Sequence, residues 1–305
     1  MRLLVSIPTR NRPQLLKAAL DSLARADAPE GATIEILVVD NNADPDEAAR
    51  IAALVADSAG RFPARVETEG RLGIPFVRNR ALAAARRGGH DAVFLLDADQ
   101  TVAPDIFRTL LKVAAEEAAD VVKPLVRWEF EPPARYGEAF EGRKEPADPP
   151  PRTALTGHVA TNGVLVSRRV WGDIGLSFDE RRPLIGGEDA GYFTRAAAAG
   201  AVMTLTRETH EVEFRPAAKQ TRAWLLRRAM RVGNAEALFR LKGYSSAQTF
   251  LSGLLQAAYY GVAAVAPASR PERRIRRLSR CAKALGAMLG ALGVCVKEYR
   301  RTVGR

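Results

Sequence analysis

Between residue 3 and about residue 125, short apolar runs alternate with longer stretches in which apolar residues return every three or four positions. The runs at 3–7, 34–39, 64–68 and 92–97 are rich in Leu, Val and Ile and read as strands. The stretches at 13–25, 45–57, 75–87 and 104–117 read as helices; in the first, Leu15, Leu16, Ala19, Leu20 and Leu23 follow the helical repeat. Pro45, followed by Asp46 and Glu47, suits a helix start, because the first turn leaves a backbone donor unused and its dipole favours acids. Such alternation predicts an α/β fold with a mostly parallel sheet flanked by helices. No G-x-G-x-x-G follows any of these strands, which argues against a dinucleotide-binding dehydrogenase.

Farther along, the pattern changes twice. Residues 131–152 hold six prolines among many charges and read as a long loop, after which a strand pattern resumes over 159–167. At Arg222 a basic helix begins. Residues 250–268 then carry no charge, 270–280 are dense in arginine, and 284–296 form a second apolar stretch rich in Gly and Ala. A bilayer-spanning helix needs about 20 predominantly apolar residues. The first stretch includes Ser252, Gln256 and two tyrosines, and the second is too short. Two readings fit the tail: a helical hairpin lying in or re-entering a membrane surface, and a helical pair packed on the preceding domain.

Charge sharpens this division. The net charge is +11, but residues 222–305 hold 17 Lys and Arg against 3 Asp and Glu, while the first 221 hold 29 against 32. A basic tail on a near-neutral body points to an anionic partner, either membrane lipid or nucleic acid. Its charges are interleaved with Ala, Gly and Leu, without an aromatic stacking platform, which disfavours nucleic acid. With 305 residues and 47% apolar composition, the chain can build one large domain with an appendage. Cys281 and Cys295 are the only cysteines, so a reducing cytoplasmic setting is expected. The apolar run before Pro8 is too short for the core of a signal peptide.

The candidate chemistry begins where the strand at 92–97 runs into Asp97-Ala98-Asp99. Ionised carboxylates at the end of a buried strand need a pair or a cation. Two of them one residue apart suit Mg²⁺ or Mn²⁺ with open positions for phosphate oxygens, and the carboxyl ends of strands in open α/β sheets are where ligands bind. Three further segments line up with it: Ser6-Ile7-Pro8-Thr9-Arg10-Asn11-Arg12-Pro13, Val38-Val39-Asp40-Asn41-Asn42, and Gly186-Gly187-Glu188-Asp189. In this order the four motifs resemble those of the inverting family-2 glycosyltransferases with the GT-A fold. The resemblance covers about residues 3 to 230. It implies a Rossmann-like catalytic domain over 1–230, with 231–305 as a basic and apolar helical appendage.

The resemblance also implies roles. Asp99, the second acid of the D-x-D motif, is the expected ligand of Mn²⁺ or Mg²⁺, with Asp97 facing the ribose and the metal shell. Pro8, Thr9 and Arg10 would support the nucleobase. Asp40 would bind base or ribose, unless it closes an Asx turn with Asn41 and Asn42. Residues 71–80 resemble the family's G-x-x-x-x-R-N segment, so Arg78 either reaches the nucleotide or braces an acid such as Asp97. Asp189 would be the general base, and Glu188 would bind acceptor hydroxyls or hold the turn. His210, about twenty residues beyond that pair, would supply a third metal contact. Gln220-Thr221-Arg222-Ala223-Trp224 departs from the Q-x-x-R-W spacing of processive synthases, which favours addition of one sugar.

The expected activity is therefore metal-dependent, inverting transfer of one sugar from a nucleotide diphosphate sugar to a saccharide or lipid-linked acceptor, in cell-surface polysaccharide or glycolipid synthesis. The alternative is a nucleotide-sugar-binding or scaffolding protein with the same fold and no turnover. The expected location is the inner face of the cell membrane, as a peripheral protein, with no nucleic-acid partner.

Overall fold

The computed structural model describes residues 1–305 except 43, 59, 133–148, 158, 182, 240, 242, 266–270 and 297–305, and omits the side chains of 271 and 272. The long proline-rich loop thus lies largely outside the described residues, as does His158.

Among the described residues nine strands form one sheet: β1 (Arg2–Thr9), β2 (Thr33–Asp40), β3 (Ala64–Thr68), β4 (Ala92–Leu95), β5 (Gln100–Val102), β6 (Val121–Phe130), β7 (Arg152–Ala154), β8 (Val164–Ser167) and β9 (Met203–Arg215). Its order is β3-β2-β1-β4-β8-β6-β9-β5, with β7 also paired to β9. Strands β3, β2, β1 and β4 are mutually parallel, and β6 runs parallel to β9; β8 is antiparallel to both β4 and β6. The sheet is mixed and mostly parallel, as expected.

Helices α1 (Pro13–Ala24), α2 (Pro45–Asp57), α3 (Ile74–Arg87) and α4 (Ile106–Glu116) occupy the four stretches read as helical. Asp44 caps α2 by accepting the Asp46 N–H at 3.0 Å. One core joins Leu16, Leu20 and Leu23 of α1 to Val5, Ile7, Phe94 and Phe107; another joins Val77 and Leu82 of α3 to Leu95, Trp171 and Phe193. Both faces of the parallel half are therefore covered, which explains its continuous rather than alternating apolar runs.

The strand expected over 159–167 is confined to Val164–Ser167. Gly163 bends the chain with φ +66°, and a Cβ there would lie 1.2 Å from the Glu211 carboxylate. Lys123 donates to the carbonyls of Asn162 and Gly163, pulling this segment away from ladder geometry.

Farther along the chain come α5 (Glu188–Ala198), α6 (Arg222–Leu238), α7 (Ser246–Val265) and α8 (Pro271–Ala291). The division expected at residue 230 falls inside α6, which packs closely on α8. A Cβ on Gly286 would meet the Met230 carbonyl oxygen at 1.8 Å, and one on Gly233 would meet that of Lys283 at 1.8 Å. Buried Asn234 donates to the Gly286 and Val294 carbonyls at 3.2 and 2.8 Å. Alanine at an unhindered helix position would stabilise by about 1 kcal/mol relative to glycine. Here the clash is with backbone, and overpacking costs about 1–3 kcal/mol. Gly286→Ala is accordingly expected to lower the urea midpoint; an unchanged or higher midpoint would contradict this contact.

Helix α7 is antiparallel to α8: Arg277 donates to the Ala263 carbonyl and Cys281 to that of Ala257. The far face of α7 is apolar and outward. Leu251, Leu254, Leu255, Tyr259, Val262 and Val265 follow the helical repeat, and Tyr259 and Val262 are 69% and 73% exposed. Among the described residues no helix is long and apolar enough to cross a membrane. The second apolar stretch behaves differently, since Gly286 and Gly290 turn it onto α6.

Candidate active site

The parallel pairing brings several carboxyl ends to one edge. Thr9 lies opposite Asp40, Asp40 opposite Thr68, and Ser6 opposite Leu95, so β1, β2 and β4 finish close together. A cavity of about 880 Å³ opens there. Pro8, Thr9, Arg10, Asp97 and Asp99 line it from the strand ends, Glu188 and Asp189 from the start of α5, and Lys219, Trp224 and Arg231 from beyond β9. Four of the motifs read from the sequence thus reach one space, three of them with the residues named for them.

Asp97 and Asp99 differ in partners. Arg78 is fully buried and donates one N–H to Asp97 Oδ1 and another contact to the Thr161 carbonyl at 3.2 Å. Of its two sequence readings, the brace is the one this geometry matches, since the guanidinium does not line the cavity. Asp99 Oδ2 accepts from Lys219 Nζ at 3.0 Å and from Arg12 Nη1 at 3.5 Å. Burial pushes its pKa up, but Lys219, Arg12 and Arg215 more than offset this and hold the carboxyl below its usual range. It is an anion in place, with cations already on it.

Asp40 is buried and does not line the cavity, although its neighbour Asn41 does. Its Oδ1 accepts from Asn42 Nδ2 at 2.9 Å, the side-chain link foreseen as the alternative, and burial raises its pKa. Asn41 bridges the Glu69 and Arg71 carbonyls at 2.7 and 2.8 Å and accepts the Gly73 N–H at 3.1 Å. It therefore fixes the loop that leads into α3. Thr9 Oγ1 is buried and has no hydrogen-bond partner among the described residues.

His210 is not brought to the cavity. Along the end of β9, residues 209, 211, 213 and 215 are buried on one face, while 210, 212 and 214 are half-buried on the other. Strand alternation thus points His210 away from Glu213 and Arg215, which do line the cavity. Its Nε2 lies 3.3 Å from Arg127 Nη1, and burial with that guanidinium lowers its pKa. A third metal contact from His210 finds no support in this geometry.

The carboxylate pair sits at the start of α5. Gly186 and Gly187 have φ +78° and +87°, left-handed values that L side chains adopt only with strain. Asp189 Oδ1 accepts the Ala190 N–H at 2.7 Å. Burial raises both pKa values. The Asp189 charge adds to the effect on Glu188, lifting it to about 7, and Asp97 raises Asp189 further, partly countered by Arg231 and Arg78. The pair is thus within electrostatic reach of the D-x-D motif, and its protons are lost nearer neutrality than is usual for carboxyls.

Sequence reading missed Arg12, Lys219, Glu213, Arg215 and the buried Lys123–Glu211 pair, at 2.7 Å, that supports the 161–163 turn. One signal was present: Glu211, Glu213 and Arg215 put charge at every second position of a strand. Nothing local signals Lys219.

The donor set can be tested against a divalent ion. Among the described residues, no group of three or more His, Cys, Asp and Glu side chains converges as a metal cage. Asp97 and Asp99 alone supply two carboxylates, which suits a cation that takes its remaining ligands from phosphate oxygens and water. The residues fit such a shared ion and not a closed site.

Residues 4–170, more than half of the chain, match the family described as glycosyl transferase family 2. The chain belongs to that family. It is 28% identical over 297 residues to the succinoglycan biosynthesis protein ExoM of Rhizobium meliloti, spanning 95% of this chain and 93% of that protein. Two similar solved structures share the fold at low identity. The mannosyltransferase PcManGT from Pyrobaculum calidifontis, in complex with GDP-Man and Mn²⁺, is 19% identical with a TM-score of 0.58, over 95% of this chain and 74% of that one. TarS 1-349 of S. aureus, in complex with UDP, is 16% identical with a TM-score of 0.54, over 99% and 93%. GT-A fold and glycosyltransferase class follow from the family and these neighbours.

Proposed function

We propose that this family-2 member transfers one sugar, with inversion, from a nucleotide diphosphate sugar to a saccharide or lipid-linked acceptor. The observation that carries the reading is that Asp99 and the Glu188–Asp189 pair line one cavity. Pro8, Thr9 and Arg10 line the part of it that would take the nucleoside. Asp97 and Asp99 would hold Mn²⁺ or Mg²⁺, which when bound neutralises charge on the departing diphosphate. Lys219, Arg12 and Arg231 add fixed positive charge to the same space. Asp189, made more basic by its surroundings, takes the proton from the attacking hydroxyl as that oxygen closes on the anomeric carbon from the face opposite the diphosphate. The C–O bond to the nucleotide breaks as the new one forms, so one displacement inverts the anomeric centre. Half-buried Trp224, with the Arg228 guanidinium 5.4 Å from its ring centre, suits packing against an acceptor sugar ring.

Neighbours in complex with GDP-Man, UDP and UDP-GlcNAc support a nucleotide-sugar donor. Thermal shift with UDP, GDP and dTDP sugars, with and without Mn²⁺, tests binding: one nucleotide series should stabilise the chain in a metal-dependent way. Stabilisation by none would remove the reading and its non-catalytic alternative together.

The reading extends to location. A catalytic region over 1–230 and a helical one over 231–305 would share α6, with the outward apolar stripe of α7 resting on the inner face of the cell membrane. The exposed Arg273, Arg274 and Arg280 of the neighbouring helix support this; each such charge contributes about 1 kcal/mol near an anionic leaflet. Full-length chain should pellet with anionic liposomes and weaken, without release, at high salt, because only the charge contribution is screened. Pelleting with neither anionic nor neutral liposomes would remove this part.

A further inference from the structure

We infer that Lys219 is a positioning residue that latches Asp99 until cation and diphosphate arrive together, and then moves from the carboxylate to the diphosphate. The inference rests on the donor-site reading above. Lys219 lies 120 residues from Asp99 in sequence, yet its ammonium sits 3.0 Å from Oδ2.

Its backbone is held firmly. Lys219 belongs to the short turn Ala217–Gln220, in which the Ala217 N–H donates to Glu131 Oε2 at 2.8 Å. Gln220 Nε2 donates to the carbonyls of Glu131 and Arg215, both at 2.9 Å. The turn is thus tied to the ends of β6 and β9. Its side chain is a quarter exposed and carries a compact charge on a four-carbon stem, so the head can swing while the root stays fixed.

Asp99 is only 10% exposed and already holds Arg12 at 3.5 Å on the same oxygen. A divalent ion needs that carboxylate at about 2.0–2.2 Å. An ammonium and a divalent ion against one buried oxygen repel strongly, because water does little to screen them there. Metal alone must therefore displace Lys219 from the carboxylate it holds, without supplying a phosphate in exchange. Metal arriving with a nucleotide diphosphate offers phosphate oxygens within the same cavity, and the displaced ammonium gains a charge-assisted partner. Lys219 thereby makes loading of cation and nucleotide cooperative: each relieves the cost the other meets.

Lys219→Met keeps the length of the stem and removes the charge. On the nucleotide-free chain, Mn²⁺ alone should bind about tenfold tighter, read by the loss of the free Mn²⁺ resonance signal; in saturating Mn²⁺, the preferred nucleoside diphosphate should bind about tenfold weaker, read by calorimetry. The opposite signs are the diagnostic, since a purely structural loss would weaken both. Lys219→Arg should return Mn²⁺ affinity towards wild type. Unchanged, weaker or undetectable Mn²⁺ binding in Lys219→Met overturns the latch. Failure of the donor reading looks different: no nucleoside diphosphate binds either protein, with or without Mn²⁺.

Discussion

Asp99→Ala should abolish measurable sugar transfer and, with it, the dependence of nucleotide binding on Mn²⁺. Asp99 ends the β4 turn inside the cavity, where it is nearly buried and faces Lys219 and Arg12. Removing the carboxylate leaves these two cations without their shared anion and, on the proposed function, would deprive an incoming divalent ion of a principal protein ligand. Losing one well-placed stabiliser of developing charge costs roughly 10²–10³ in rate, and losing metal-assisted departure adds to it. A drop of at least about 10³ in kcat/KM is expected. Asp99→Asn, which keeps the shape and hydrogen-bonding reach, should fall nearly as far, because its neutral amide cannot balance the charge. Metal-dependent nucleotide binding that survives in Asp99→Ala would mean that the ion sits elsewhere.

Asp189→Asn should leave donor binding nearly intact and lower kcat by roughly 10² or more. The carboxylate lies at the N-terminus of α5, held by the Ala190 N–H, where asparagine fits the same space. The pH profile should carry the same information. Burial and neighbouring acids raise the pKa values of Glu188 and Asp189, so the pair gains protons as pH falls towards and below neutrality. A base must be deprotonated to act, so wild-type kcat should decline on that acid side, and the decline should flatten in Asp189→Asn. Undiminished kcat in the variant would remove Asp189 as base and shift attention to Glu188.

The parallel half of the fold was legible because its strands are buried on both faces. The runs at 3–7 and 34–39 and the intervening helical repeats sit within a residue or two of β1, β2, α1 and α2. Strand β9 was not read as an element, since Thr206, Glu211 and Glu213 give its inner face the polarity of a surface. Its inner face is polar because it lines and supports the cavity. Strands β5 and β7 have three residues each, too few for any period to register.

At the site, proximity in sequence decided what could be seen. Asp97 with Asp99, and Glu188 with Asp189, announce themselves as acids placed together at element ends. Arg78 was correctly paired with Asp97 as one of two readings, because both belong to adjoining elements of the βαβ pattern. Counting residues past the acid pair does not fix where His210 faces, because strand parity decides which way a side chain points. Lys219 and Arg12 reach Asp99 only through the closing of the sheet, a relation that spacing along the chain does not express.

Sugar transfer itself can be measured directly. The intact chain, Mn²⁺ and the stabilising nucleotide sugar, incubated with a membrane-lipid extract as acceptor source, should release nucleoside diphosphate and form a product whose new linkage, by NMR, has the anomeric configuration opposite to that of the donor. Binding of the donor without any product, while the extract remains competent with a known glycosyltransferase, would contradict the claim and leave the non-catalytic reading in its place.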